Sequence, residues 1–283
     1  MIYTNKLNLP KQFIPEESDR VPVKDVYSVT ELLNSTREII LTREHYKDIT
    51  IDISDTIIAL FGTAVHNLME QKKPDNCEAE FKIEYDFKYK NKTIKVKGRC
   101  DLVNFLELII EDYKTCSTSK IIKEDFDDWK KQGLLYALVI YFSLNIKIKK
   151  LKFYALMKDW SKIKSATNSS YPSSPVYVWE YDIEDSDLIY INEWLYKKFE
   201  ELETPGCPEC TDEERWYTGT KYAVYKSESD KKANIICDTE EEAHGYITNK
   251  CGGAGRIEVR KGENLKCKYY CGCRKFCKRS EQI

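Results

Sequence analysis

Long apolar runs are missing from this 283-residue chain. No stretch approaches the ~18–20 residues that a membrane-crossing helix needs, so no membrane span is expected. The opening residues, MIYTNKLNLPKQF, lack the apolar core of a secretion signal. The expectation is therefore a cytoplasmic protein. An excess of positive charge is also missing: the formal net charge is −2. No global field draws the chain to a polyanion, so any contact with nucleic acid must come from local basic patches. There is no Walker A pattern, which places any nucleotide-driven motor on another chain. Internal repeats and long low-complexity tracts are absent too. What remains is an ordinary globular balance, 42% hydrophobic and 33% charged residues. Cysteine, by contrast, is plentiful. Eleven cysteines in a chain read as cytosolic point to metal ligation before disulfides.

Taken in order, residues 1–24 are polar with scattered prolines and read as an extended arm. Ser28 with Glu31 three residues on is a capping-box pattern that starts a helix. The apolar spacing of Ile58, Leu60, Phe61, Val65, Leu68 and Met69 predicts a helix over 55–71. Residues 78–90 alternate as a strand, Asn91-Lys92 reads as the turn, and a second strand begins at Thr93. A further strand is expected over 108–115, and Cys116 to Ser119 breaks the pattern. Residues 129–144 (WKKQGLLYALVIYFSL) read as a helix apolar enough to be largely buried. Strands follow over 151–157 and 176–183, separated by a polar Ser/Pro loop (161–175). An amphipathic helix spans 186–203, and Thr204-Pro205-Gly206 ends it. The domain boundary is set there: a core over 1–205 and a cysteine-rich metal-binding module over 206–283. In that module, strands are expected at 222–226 and 234–238, and a helix at 239–250.

The chemistry-bearing stretch is GRCDLVNFLELIIEDYKT, residues 98–115. Strand alternation puts Asp112 and Lys114 on one face and turns Glu111 away. A carboxylate beside an ammonium, with Asp101 from the preceding strand, suits a divalent cation and a phosphate. Taken alone, a D-x-K tripeptide is a surface salt bridge. His66 and Glu70, four apart on one helix face, are equally a surface contact. Gln132 and Tyr136 read as the exposed first turn and the core of their own helix.

The order of these pieces is similar to that of the PD-(D/E)XK nuclease superfamily, in its RecB-like exonuclease branch. The matching motifs are G-x-x-x-H (Gly62 to His66), G-x-x-D (Gly98 to Asp101), D-Y-K-T (Asp112 to Thr115) and Q-x-x-x-Y (Gln132 to Tyr136). The resemblance implies an α/β fold, a restriction-endonuclease-like core with a mixed central sheet flanked by helices. It implies Mg²⁺ or Mn²⁺ held by Asp101, Asp112, the main-chain carbonyl of Tyr113, and His66. It gives Lys114 the attacking water, and Gln132 and Tyr136 the flanks of the site; Glu70 is a further acidic contributor through the face it shares with His66.

Cys267, Cys271, Cys273 and Cys277 fall within eleven residues, and Cys207 and Cys210 precede them. Four thiolates hold a [4Fe–4S] cluster or a zinc ion. Relatives of the AddB and CRISPR-associated type carry an iron–sulfur cluster with one cysteine before the nuclease core. Here Ser35 occupies that region. The expected ligand set is Cys210, Cys267, Cys271 and Cys277, with a zinc knuckle through Cys207 and Cys210 as the alternative. Cys77, Cys100, Cys116, Cys237 and Cys251 suit packing as small hydrophobes. The resulting expectation is a metal-dependent DNA exonuclease of phage recombination or DNA processing. A single-strand annealing protein or recombinase is its expected partner. The alternatives are a CRISPR-adaptation nuclease and a non-catalytic DNA-binding module.

Overall fold

β-Strands and helices alternate through the first two thirds of the chain, as the change from period-2 to helical spacing requires. In the computed structural model, residues 1–14 and 21–278 are described. Residues 15–20 of the expected arm, and the chain end after Lys278, lie outside them. The chain divides after Pro208 into two units, two residues past the Thr204-Pro205-Gly206 terminator.

In the first unit the elements are β1 (Ile2–Thr4), β2 (Val26–Ser28), α1 (Val29–Leu32), α2 (Thr36–Glu44), β3 (Thr50–Asp52), α3 (Ile53–Glu70), β4 (Glu78–Tyr89), β5 (Lys92–Asn104), β6 (Ile109–Cys116), α4 (Thr118–Ile122), α5 (Asp127–Leu144), β7 (Lys150–Met157), α6 (Lys162–Thr167), β8 (Val176–Asp182) and α7 (Asp185–Glu203). A six-stranded mixed sheet runs β2-β5-β6-β7-β8, with β4 on the remaining edge of β5. β6 and β7 are parallel, and α4 and α5 make the crossover between them. The expected arm is not all extended chain: β1 pairs in parallel with β3.

The capping box at Ser28 forms as expected, with Glu31 reaching back to the Ser28 N–H. The helix it starts lasts one turn, and Ser35 caps α2 by accepting from the Glu38 N–H. The 90–92 turn falls at Lys90-Asn91, not Asn91-Lys92, and Lys90 takes the left-handed backbone a tight hairpin needs (φ 50°). The 116–119 break holds the start of α4, and the 161–175 loop holds α6, whose Ser161 side chain accepts from the Lys164 N–H.

α5 is apolar nearly all round because it is covered nearly all round. It packs on β4, β5, β7 and α7, and Leu134, Leu135, Leu138, Val139 and Ile140 are buried. Each such side chain stabilises by roughly 1.5–3 kcal/mol on leaving water. Close approach to β7 depends on Gly133, where a Cβ would lie 2.5 Å from Leu151 Cδ1. Asn145 closes the helix in the left-handed conformation (φ 56°). α3 is different: of its 18 residues only Ile53 is buried.

The second unit, from Glu209, holds β9 (Lys221–Tyr225), β10 (Ile235–Cys237), α8 (Glu240–Lys250) and β11 (Arg256–Arg260). The third strand was not expected from the sequence. It pairs antiparallel with β9, giving the sheet order β10-β9-β11. Val224, Cys237 and Ala243 form its small core. No helix among the described residues is long and apolar enough to cross a membrane.

Candidate functional site

β5 spends one edge on β4 along its length, from Glu78 opposite Val103 to Tyr89 opposite Lys92. Its other edge is divided. β2 takes Lys95–Lys97 and β6 takes Leu102–Asn104. Between them, Gly98 to Asp101 has no strand partner on that edge among the described residues. One more step of the β5–β6 register would set Asp101 opposite Asp112, but the ladder stops at Leu102 and Glu111. The Asp101 carboxylate accepts the Tyr113 N–H instead, at 2.8 Å. The strands therefore separate into a fork, and the two aspartates line it.

α5 supplies one side of the fork. Lys114 Nζ donates to Gln132 Oε1 at 2.9 Å, and Gln132 Nε2 donates to the Tyr136 hydroxyl at 3.0 Å. Gln132 is buried, not an exposed first-turn residue. Tyr136 reaches this position because residue 98 is glycine: a Cβ there would lie 2.8 Å from Tyr136 Cε1. Lys114 Nζ is also 2.6 Å from Asp112 Oδ2. That contact is an ion pair set off the hydrogen-bond axis, since Oδ2 is buried without an aligned hydrogen bond. Burial pushes the Asp112 carboxyl up to about 6, against the pull of Lys114. Glu111 points elsewhere, and its charge near Tyr154 helps burial to raise the pKa of that hydroxyl.

α3 supplies the other side. β6 alternates, so Tyr113 and Thr115 meet α3 where Asp112 and Lys114 meet α5. His66 and Tyr113 rings stand edge to face, centroids 6.4 Å apart. His66 Nδ1 lies 3.1 Å from Asp101 Oδ2. The hydrogen bond to Asp101 raises the His66 pKa, with burial opposing.

The residue that sequence reasoning missed is Glu80. In the β4–β5 register, Ala79 faces Leu102 and Phe81 faces Cys100, so Glu80 lies across from Asp101. Donor atoms of His66, Glu80 and Asp101 all fall within 4.8 Å of one another. Glu80 has φ 50° inside a strand, a conformation a non-glycine residue holds only when its surroundings enforce it. Arg99 Nε lies 2.6 Å from its carboxylate. Burial raises the Glu80 pKa, and Arg99 opposes. Glu70, expected in the site, is exposed at the end of α3 and acts on Glu80 only as a nearby charge. Asp112 stands outside the three-residue group but close enough to interact with both Asp101 and His66.

This donor set suits a divalent cation. It combines two carboxylates and an imidazole, with a buried, unaligned carboxylate oxygen beside them. His66, Glu80 and Asp101 would hold the ion and Asp112 would face it.

In the second unit, the segment after Cys210 runs beside the one before Cys267. Lys266 N–H donates to Arg215 O and Leu265 N–H to Trp216 O. Cys271 Sγ lies 3.4 Å from Cys273 Sγ. Burial raises the Cys267 pKa, with Cys271 and Cys277 adding to it as neighbours. Thiols thus gather in the 267–277 turn, where Cys273, left out of the expected ligand set, is the most buried. Cys77, Cys100, Cys116 and Cys237 are buried, as packing thiols should be, and Cys251 is partly exposed.

No family model matches this chain, and no curated protein matches it. Among solved structures, one described as "Crystal structure of SSO0001" is similar over 66% of this chain and 89% of that chain, at 17% identity and a TM-score of 0.45. A likeness at that level carries no argument about what this chain does.

Proposed function

We propose that the chain is a metal-dependent deoxyribonuclease that hydrolyses phosphodiester bonds at the β5–β6 fork. In this reading the first unit is a restriction-endonuclease-like core of RecB-like type, and the second is a cysteine-rich module. The observation that carries the proposal is the meeting of His66, Glu80 and Asp101, whose donor atoms lie within 4.8 Å of one another, with the Asp112–Lys114–Gln132–Tyr136 chain. Few structural roles call for a buried carboxylate, a lysine and a histidine within one opening of a sheet.

His66, Glu80 and Asp101 would hold a Mg²⁺ or Mn²⁺ ion, which would supply Lewis acidity for phosphodiester hydrolysis. The chain's own residues do the rest. Lys114 presents its N–H bonds to the attacking water or a non-bridging oxygen, and Gln132 fixes the direction of Nζ. Tyr136 holds Gln132 in turn. Asp101 keeps the fork open by taking the Tyr113 N–H. Cys210, Cys267, Cys271 and Cys277 are proposed to hold a [4Fe–4S] cluster or, alternatively, zinc, tying the second unit together. Exonuclease action in phage recombination, with an annealing protein or recombinase as partner, is the biological setting we propose.

The test uses end-labelled linear duplex, single-stranded DNA and closed circles with Mg²⁺, Mn²⁺ or EDTA. We expect metal-dependent loss of linear DNA with circles spared. Lys114→Ala should lower the rate by at least ~10²-fold, the scale of a lost proton-transfer or orienting group, while the fold is kept. Absence of cleavage with either metal would refute the proposal, and cut circles would replace exonuclease by endonuclease.

A further inference from the structure

Trp216 adopts φ 54°, a backbone state that glycine or asparagine reaches far more readily than a bulky aromatic. Surrounding hydrogen bonds hold it there: its N–H donates to Glu213 O, and its carbonyl accepts from Leu265 N–H. Despite that cost the indole is not buried; Trp216 is 50% exposed. Two further rings extend the surface. Tyr270 lies 5.1 Å from Trp216, centroid to centroid, and Tyr269 lies 6.5 Å from Tyr270. They are 68% and 62% exposed. Both tyrosines lie between Cys267 and Cys271 and belong to one π-helical turn, Lys266–Tyr270.

The two tyrosines sit in a basic segment, whereas Asp212, Glu213 and Glu214 lie just before Arg215 and Trp216. Residues 256–278 contain eight Lys or Arg and two acidic residues, in a chain of net charge −2. Lys268 lies over the Tyr269 ring at 5.3 Å and is paired with Glu263 at 2.8 Å. Arg274 donates to the Lys268 carbonyl at 2.8 Å, which sets a second cation beside the same turn. Exposed rings beside cations match one ligand chemistry: unpaired bases stack on the rings while the phosphates meet the cations. A duplex offers the phosphates but keeps its base faces stacked internally, so it cannot use the rings.

We propose that Trp216, Tyr269 and Tyr270 form a stacking platform that binds single-stranded nucleic acid through the second unit. This is a binding site separate from the fork residues, and it stands whether or not the fork hydrolyses DNA.

The test is fluorescence anisotropy of labelled oligo(dT) and of a blunt duplex, both titrated with the full-length chain. Asp112→Asn serves as the background, so that cleavage cannot remove the probe. Trp216→Gly and Tyr270→Ala should each weaken oligo(dT) binding by about five- to a hundredfold, the range of a lost base stack, with duplex binding changed less than about twofold. Trp216→Gly also relieves the left-handed strain, so its thermal midpoint should hold or rise while binding falls. If that variant unfolds, Tyr269→Ala, which removes only an exposed ring, gives the same comparison. Unchanged oligo(dT) affinity in the folded variants, or equal losses on duplex and single strand, would overturn the platform.

Discussion

Asp112 is 2% exposed and has no aligned hydrogen bond on Oδ2, so its charged form is costly even with Lys114 beside it. The sign follows from linkage. A carboxyl raised to about 6 in the folded state binds more protons than the unfolded chain between pH 4 and 6. Its contribution to stability is thus fully present below the ordinary carboxylate range and lost as pH rises through about 6. Asp112→Asn removes the ionised form. In metal-free buffer the variant should gain stability over the wild type as pH rises from 4 to 7, reaching on the order of 2–3 kcal/mol by pH 8. Denaturant melts of both proteins across that range measure it, and a pH-independent difference would refute the argument. A buried carboxylate that weakens the fold is what a site kept for binding, rather than for packing, looks like.

Among the elements, the β4–β5 hairpin decides what the site contains. Its two-residue turn at Lys90-Asn91 sets the register so that Glu80 falls across from Asp101. Reading the turn one residue later, at Asn91-Lys92, places Lys82 there instead and hides Glu80. A one-residue slip in a strand changes every cross-strand neighbour. Strands and helices with clear periodicity were legible. His66, Asp101, Asp112, Lys114, Gln132 and Tyr136 were singled out only by the motif resemblance, their spacing alone reading as surface contacts and core, and the structure brings their side chains around one opening. Glu80 was not legible, because it is joined to the site by register rather than by local pattern. α6 and β11 were missed for another reason: both are short, and their polar or charged composition resembles loop. The contact of β5 with α5 gives a prediction of its own. Gly98→Ala puts a Cβ 2.8 Å from the buried Tyr136 ring and 3.2 Å from Val29 Cγ2. Overpacking of this kind costs about 1–3 kcal/mol, so the denaturant midpoint should fall. Displacing Tyr136 also loosens Gln132 and Lys114, and the proposed nuclease activity should fall further than stability explains. A variant with wild-type stability and rate would contradict the packing described here.

Across the whole molecule, composition gave a net charge near zero and so no sign of a nucleic-acid partner. Residues 256–278 carry a local excess of positive charge, eight Lys or Arg against two acidic residues, and the carboxylates of the fork belong to the first unit. An average over the chain conceals both. The fork is proposed to hold a hard divalent cation, and Mn²⁺ binding followed by calorimetry or electron paramagnetic resonance tests that most directly. Thiolates are poor ligands for Mn²⁺, so the cysteines of the second unit should not interfere. The wild type should bind Mn²⁺, with Glu80→Gln and Asp101→Asn each weakening it by at least ~10-fold, as loss of a charged ligand demands. Glu70→Gln and Glu111→Gln should leave it unchanged. Mn²⁺ affinity that does not respond to Glu80 or Asp101, or no binding by the wild type, would contradict the site.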